Sequence, residues 1–218
     1  GGNFSAQGSS NLLAARDVVM DVGGQLSLSQ ESTLSAGQDI RLNTQAGLQR
    51  GDVAFSQATT LSAARDIAMD IVGGHFSASG GTHLSAGDDI DLHLSSGDVR
   101  LGNASTFQAA DVQAIRVDAG NIALSGLTAL TGGNDLALQI GSGHLSFADT
   151  TTLTATANDL AITLGTGNVS LTGDSTLKAG TDQTLTVGSG NVNWVGLSTV
   201  QAGTTFNLVI GTGDFSTA

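Results

Sequence analysis

The chain has 218 residues, of which 39% are hydrophobic, and it contains neither proline nor cysteine. Seven basic residues against 19 acidic ones give a net charge of −12, which argues against a nucleic-acid-binding protein and against electrostatic binding to a membrane surface. The lack of cysteine excludes a disulfide scaffold and thiol chemistry, and because no apolar run is long enough to span a bilayer we expect no membrane insertion.

Glycines recur along the whole chain at a nearly constant step and open each copy of one repeat. The steps are 22, 27, 23, 23, 23, 23, 24, 23 and 23 residues, and the one long step contains an insertion near residues 46–50. A period of about 20 to 50 residues is the signature of a solenoid, a propeller or an array. The opening glycines are Gly2, Gly24, Gly51, Gly74, Gly97, Gly120, Gly143, Gly167, Gly190 and Gly213.

Each repeat predicts three short strands, because apolar and polar residues alternate with a period of two. The first strand carries an apolar residue two positions after the glycine, and these residues are Phe4, Leu26, Val53, Phe76, Val99, Ile122, Leu145, Val169 and Val192. The second strand is apolar ten positions after the glycine, at Leu12, Leu34, Leu61, Leu84, Phe107, Leu130, Leu153, Leu177 and Val200. The third strand covers positions 16 to 20 of the repeat.

Three strands in a repeat of this length cannot bury their own apolar side, but stacked repeats can. If each repeat forms one turn of a wide coil, the next turn lies about 4.8 Å above it and the apolar columns become a continuous core. We therefore predict an all-β, right-handed parallel β-helix of about nine coils, a single array over residues 1–218 that is roughly 45 Å long. A propeller needs about 40 residues in each blade, and a sandwich does not repeat with identical columns.

The chain starts and stops inside the repeat pattern. An uncovered coil presents open strand edges, and solenoids normally carry atypical terminal repeats that cover them. We therefore expect a piece of a longer rod without caps, which associates end to end through these edges.

An aspartate column precedes the third strand and consists of Asp17, Asp39, Asp66, Asp89, Asp135, Asp159 and Asp182. Stacked carboxylates repel one another, so the column needs a stabilising partner. Calcium is one candidate because it takes several oxygen ligands, but the glycine-rich nonapeptide of calcium-binding repeats is absent, and Val112 and Thr205 interrupt the column. We favour hydrogen bonds from each carboxylate to its own turn, with no metal and no cofactor.

Two further groups of residues are candidates for a role. A column of hydroxyl side chains eight positions after the glycine, from Ser10 to Ser198, is expected to point inward and to satisfy backbone groups of the turn. The acidic and histidine-rich repeat could hold a transition metal through His75, His83, Asp88, Asp89, Asp91 and His93. We favour a solvated face there, because polar residues alternate with leucines along the strand.

The stretch from the second to the third strand has a recognisable form, Leu34-Ser35-Ala36-Gly37-Gln38-Asp39-Ile40-Arg41-Leu42, which returns as Leu84-Ser85-Ala86-Gly87-Asp88-Asp89-Ile90-Asp91-Leu92. It resembles the haemagglutinin repeats of filamentous-haemagglutinin-like exoproteins, which are long bacterial surface proteins exported by two-partner secretion. They include adhesins and the sticks of contact-dependent inhibition toxins.

The resemblance implies a secreted, non-enzymatic shaft segment at the bacterial cell surface. It also implies two partners, an outer-membrane secretion protein and the surface of a host or neighbouring cell. Two alternatives remain open: a segment that itself binds a host glycan or protein along one flank, and a β-helix enzyme that degrades polysaccharide. The enzyme would need a groove rimmed by long loops with converging acidic and basic residues.

Overall fold

The structure is a computed structural model that describes residues 2–45 and 51–218. The insertion predicted at residues 46–50 lies outside the described residues. Within the described ranges every regular element is a β-strand, and none is a helix. The 28 strands, numbered in chain order, are β1 Phe4–Ala6, β2 Asn11–Ala14, β3 Val18–Val22, β4 Leu26–Leu28, β5 Thr33–Ala36, β6 Ile40–Thr44, β7 Val53–Phe55, β8 Thr60–Ala63, β9 Ile67–Ile71, β10 Phe76–Ala78, β11 His83–Ala86, β12 Ile90–Leu94, β13 Val99–Leu101, β14 Thr106–Ala109, β15 Gln113–Ala119, β16 Ile122–Leu124, β17 Ala129–Gly132, β18 Leu136–Ser142, β19 Leu145–Phe147, β20 Thr152–Ala155, β21 Leu160–Thr166, β22 Val169–Leu171, β23 Thr176–Ala179, β24 Asp182–Ser189, β25 Val192–Trp194, β26 Thr199–Gln201, β27 Thr205–Thr212 and β28 Phe215–Thr217.

Every third strand belongs to the same sheet, and neighbouring strands within each sheet are parallel. Sheet A runs from β1 through β4 and β7 to β28, sheet B from β2 to β26, and sheet C from β3 to β27. Each coil thus contributes one strand to each sheet. This arrangement confirms the predicted β-solenoid of about nine coils with three strands in each.

The predicted apolar columns stack in register and line the interior. Phe76 pairs with Val53 on one side and with Val99 on the other, and all three side chains are buried. Two edge-to-face aromatic contacts have centroid distances of 5.5 and 6.0 Å: Phe55 with Phe76 inside sheet A, and Phe76 with Phe107, which joins sheet A to sheet B across the core. Such contacts add to the burial of the rings themselves.

Two amide side chains stand at core positions of sheet C. Gln113 and Gln183 are buried in the column that elsewhere holds Ile90, Leu136 and Leu160. Neither polar atom of the Gln113 side-chain amide has a hydrogen-bond partner, and the amide oxygen of Gln183 also lacks one. These amides are weak points of the core, because an unpartnered buried polar group is destabilising.

The opening glycines are required by the backbone at the corner from sheet C to sheet A. Six of them have φ between 124° and 150°, a region that L-residues with a side chain rarely adopt. The recurrence of glycine at these six positions follows from that geometry. The six are Gly97, Gly120, Gly143, Gly167, Gly190 and Gly213.

The inward positions of the outermost coils differ from those in the middle. Leu12 is 44% exposed and Phe215 is 47% exposed, whereas Leu130 in the middle of the array is 0% exposed. The first-strand column shows the same trend, since Phe4 is only partly buried. A side chain in this core is therefore buried by the coils on both sides of it.

Candidate functional surface

The aspartate column hydrogen-bonds in a way that the sequence did not predict. The carboxylates do not bond their own turns; instead five of the seven accept the backbone N–H of the equivalent residue in the next coil. The bonds run from Asp39 to Asp17, Asp89 to Asp66, Val112 to Asp89, Asp159 to Asp135 and Asp182 to Asp159, over 3.0 to 3.3 Å. The expectation of bonds within each turn is therefore wrong, because the corners of successive coils stack directly on one another.

Asp39 is the one buried carboxylate of this column. Its side chain is only 5% exposed and it contacts two guanidinium groups, with Arg41 Nη2 at 2.6 Å and Arg65 Nε at 3.1 Å. Charged partners of this kind offset the desolvation cost of a buried carboxylate. At this point of the column arginines occupy the space in which a cation would have to bind.

The hydroxyl column lies at the corner between sheets A and B. From Ser32 to Ser175 its side chains are buried, and each donates to the backbone carbonyl three residues earlier. Thr59, for example, donates to Ser56, and Thr128 donates to Ser125, over 2.7 and 2.6 Å. The column satisfies backbone oxygens inside the turn, which is the role expected from the sequence.

A third polar column at the corner between sheets C and A was not predicted. Eight of its ten side chains accept the backbone N–H of the next coil, as Asn121 does for His144 and Asn168 does for Asn191, both over 2.8 Å. Gln25 instead donates from its side-chain amide to Asp52. The signal was present in the sequence, because every residue directly after an opening glycine can act as an acceptor. The column is Asn3, Gln25, Asp52, His75, Asp98, Asn121, His144, Asn168, Asn191 and Asp214.

Charged side chains within strands are concentrated in one area of the described surface. Sheets A and B carry one each, Arg100 and Lys178, while the outer face of sheet C carries six in its first five strands. With one asparagine and one histidine they form what we call the sheet C patch: Asp21, Arg41, Asn43, Asp70, Asp91, His93, Arg116 and Asp118. Sequence analysis singled out only Asp91 and His93 of this group.

A depression of about 450 Å³ lies within the sheet C patch. Ala68 stands between Arg41 and Asp91 in the same outward row of neighbouring strands, and its short side chain leaves the space open. Asn43, Asp70, His93 and Arg116 complete the walls. The depression therefore offers both hydrogen-bond donors and acceptors to a ligand.

Most charges of the patch are paired with one another. His93 Nδ1 lies 3.0 Å from Asp70 Oδ1, and His93 Nε2 lies 3.2 Å from Asp118 Oδ2. Arg116 Nε contacts the other oxygen of Asp118 at 3.0 Å. Hydrogen bonds from Arg116 and then His93 lower the pKa of Asp118.

Asp91 has a different environment from Asp118. Burial raises the pKa of Asp91, and the nearby carboxylates of Asp70 and Asp89 act in the same direction, while His93 and Arg116 oppose them. The carboxylate of Asp91 therefore takes up a proton more readily than an ordinary aspartate does.

The structure separates the histidines that the sequence placed in one repeat. His75 lies at the corner before sheet A, His83 lies on sheet B with Nδ1 2.6 Å from Thr106 Oγ1, and His93 lies on sheet C. No group of three or more His, Asp or Glu residues in the described ranges has a geometry that could hold a metal ion. At His93 the two carboxylates lie against opposite nitrogens of the ring, so the three groups cannot converge on one ion.

The described residues include no helix that could cross a membrane. Comparison with protein-family models finds no match, and comparisons with curated proteins and with solved structures find none either.

Proposed function

We propose that the chain is a structural shaft segment of a large, secreted, adhesin-like exoprotein of the bacterial cell surface. In this proposal the stacked coils hold a distal binding or toxic domain away from the cell. The observation that carries it is the unbroken register of three parallel sheets over all nine coils, around one continuous apolar core. A ladder of this kind resists bending, because each coil is bonded to the next along three sheets.

The same proposal includes the partners that the sequence resemblance implies. An outer-membrane protein of the two-partner secretion type exports the chain, and the surface of a host or neighbouring cell receives the distal domain. The proposal also includes end-to-end association of the 218-residue chain. Exposed inward residues such as Leu12 and Phe215 support it, since they belong to the columns that are buried elsewhere.

A second candidate is that the segment itself binds a host glycan or protein along one flank. The sheet C patch favours this candidate, because it combines a depression with most of the strand-borne charge. A polysaccharide-degrading enzyme is a weaker candidate. The patch has acidic and basic residues, but most of them pair with one another rather than converge on the space where a substrate would lie.

The experiment that separates these candidates deletes two whole repeats at a time from the full-length gene product. Deletion of residues 52–97 removes Asp70, Asp91 and His93, whereas deletion of residues 144–190 removes two repeats that carry no part of the sheet C patch. Both deletions join an opening glycine to the residue that normally follows one, so the columns stay in register.

A spacer requires that the two deletions shorten the rod by the same amount and reduce the reach of the distal domain equally, each by about 10 Å for two coils. The measurements are the rod length by electron microscopy and adhesion or target-cell inhibition as a function of the distance to be bridged. Loss of cell binding with the first deletion alone would refute the spacer and support a binding flank.

A further inference from the structure

His93 is in contact with the coil below it and the coil above it. It lies on β12, in register with Asp70 of β9 and Arg116 of β15. Its ring reaches Asp70 through Nδ1 at 3.0 Å and Asp118 through Nε2 at 3.2 Å. One imidazole thus bridges three consecutive strands of sheet C on their outer face.

The protonation state of the ring decides how many of these contacts are hydrogen bonds. An ionised carboxylate only accepts, and a neutral imidazole has a single N–H to donate. Both contacts can be hydrogen bonds at the same time only when the ring is the imidazolium ion, which donates from both nitrogens.

We propose that His93, Asp70 and Asp118 form a proton-operated staple that locks β9, β12 and β15 together when His93 is protonated. When the ring is neutral one of the two bonds is lost, and the strands lack this side-chain link on that side. The staple regulates how easily the central coils open, and it does not depend on the function proposed above.

Acidic side chains outnumber basic ones around the ring. Asp70 faces it from β9, Asp118 from β15, and Asp91 lies two residues away on the same strand. Arg116 on β15 is the one cationic side chain in register with it, and its Nε donates to Asp118 at 3.0 Å. Three carboxylates therefore oppose a single guanidinium group whose charge is already paired.

Two other histidines use a ring nitrogen as a hydrogen-bond acceptor. His75 Nδ1 accepts the backbone N–H of Asp98 at 2.9 Å, and His144 Nδ1 accepts that of Asn168 at 3.1 Å. A nitrogen that accepts cannot carry a proton, so protonation of Nδ1 would remove these bonds, whereas protonation of His93 completes its pair of bonds. A measurement on the whole protein would mix the two effects.

The experiment therefore starts from a protein with His75→Asn and His144→Asn. Asparagine is the natural occupant of this column at Asn121 and Asn168, where its side chain accepts the same kind of bond at all pH values. In this background, amide hydrogen exchange in β9, β12 and β15 is measured at about pH 5.5 and about pH 7.5, on either side of ordinary histidine titration. The rates are corrected for the intrinsic pH dependence of exchange.

The expected result is about threefold slower opening of these strands at the lower pH, because the bridge is partly exposed and screened by solvent. No such change is expected in β18, β21 and β24. His93→Gln removes the pH effect, Asp118→Asn reduces it, and about 0.5 M NaCl weakens it. Nitrogen-15 spectra of the ring report whether one or both nitrogens carry hydrogen.

Two results would overturn the staple. One is a ring that keeps a single protonated nitrogen at about pH 5.5 in the folded protein. The other is an unchanged pH dependence of exchange in the His93→Gln variant, which would assign the effect to other groups.

Discussion

Gly143 lies directly over the carbonyl of Gly120, so that a Cβ on Gly143 would come within 1.8 Å of the Gly120 oxygen. Its φ of 143° is also unfavourable for a residue with a side chain. We expect Gly143→Ala to destabilise the protein by about 3 kcal/mol, measured by chemical denaturation. Gly102→Ala is the control, because its Cβ would meet only the movable Ser125 hydroxyl at 3.1 Å. Equal losses for the two variants would contradict a requirement for glycine at the corner.

Leu130 and Thr131 test which side of a strand faces the core. Leu130 is completely buried and Thr131 is partly exposed on the outer side. Leu130→Asp places an unpaired charge in an apolar column, and we expect a loss of several kcal/mol. Thr131→Asp, one position later, is expected to change stability by only about 0.5 kcal/mol. Thermal melts showing similar losses for both would be incompatible with the assigned alternation.

Gln113 offers a stabilising substitution. Its side chain is buried with no partner for either polar atom, and Leu136 fills the equivalent position of the next coil. We expect Gln113→Leu to raise the free energy of unfolding by about 1–3 kcal/mol, since it removes the desolvation penalty of the amide. Gln139→Leu, on the exposed face of β18, is the matched control and should have little effect. A destabilised Gln113→Leu variant would mean that the amide has a partner, such as a buried water.

Asp98 should contribute to the acid sensitivity of the fold. Burial by itself raises the pKa of this carboxylate, but hydrogen bonds from the backbone and side chain of Asn121, with the charges of Arg100 and His75, bring the pKa below its ordinary value of 3.8. A lowered pKa in the folded state gives stability that is present above 3.8 and is lost as the pH falls through the folded value.

Asp98→Asn keeps an acceptor for the backbone N–H of Asn121 but has no charge to lose. We expect the variant to be less stable than the parent at neutral pH, and the two to converge towards about pH 2. Denaturant melts over this range measure the difference. A constant difference in stability at every pH would show that the carboxylate charge has no part in it.

Calcium should leave the melting temperature almost unchanged. The aspartate column accepts backbone N–H groups, and Asp39 is enclosed by Arg41 and Arg65. A bound cation would stabilise the fold by about 2.7 kcal/mol at about a hundredfold excess over its dissociation constant. A rise of several degrees that disappears in Asp39→Asn with Asp66→Asn would instead establish the cation ladder that we disfavour.

The sequence determined the coil architecture by itself. Stacked repeats place the same position of every repeat in the same environment. A column that is apolar in every repeat, such as the one with Val99, Ile122 and Leu145, therefore identifies an inward position from the sequence alone. The same logic could have identified the acceptor column that runs through Asn121 and Asn168. The acceptor column lies one residue after each opening glycine, and the column of opening glycines was itself recognised from the sequence.

Only the tertiary structure decided how polar groups are partnered between coils. His93 contacts Asp70 and Asp118, which are 23 and 25 residues away, and Asp17 accepts an N–H from the next coil rather than from its own turn. Such contacts depend on side-chain rotamers and on the vertical stacking of corners. A repeat pattern determines which residues are neighbours, but it does not determine which of two nearby donors or acceptors each side chain hydrogen-bonds.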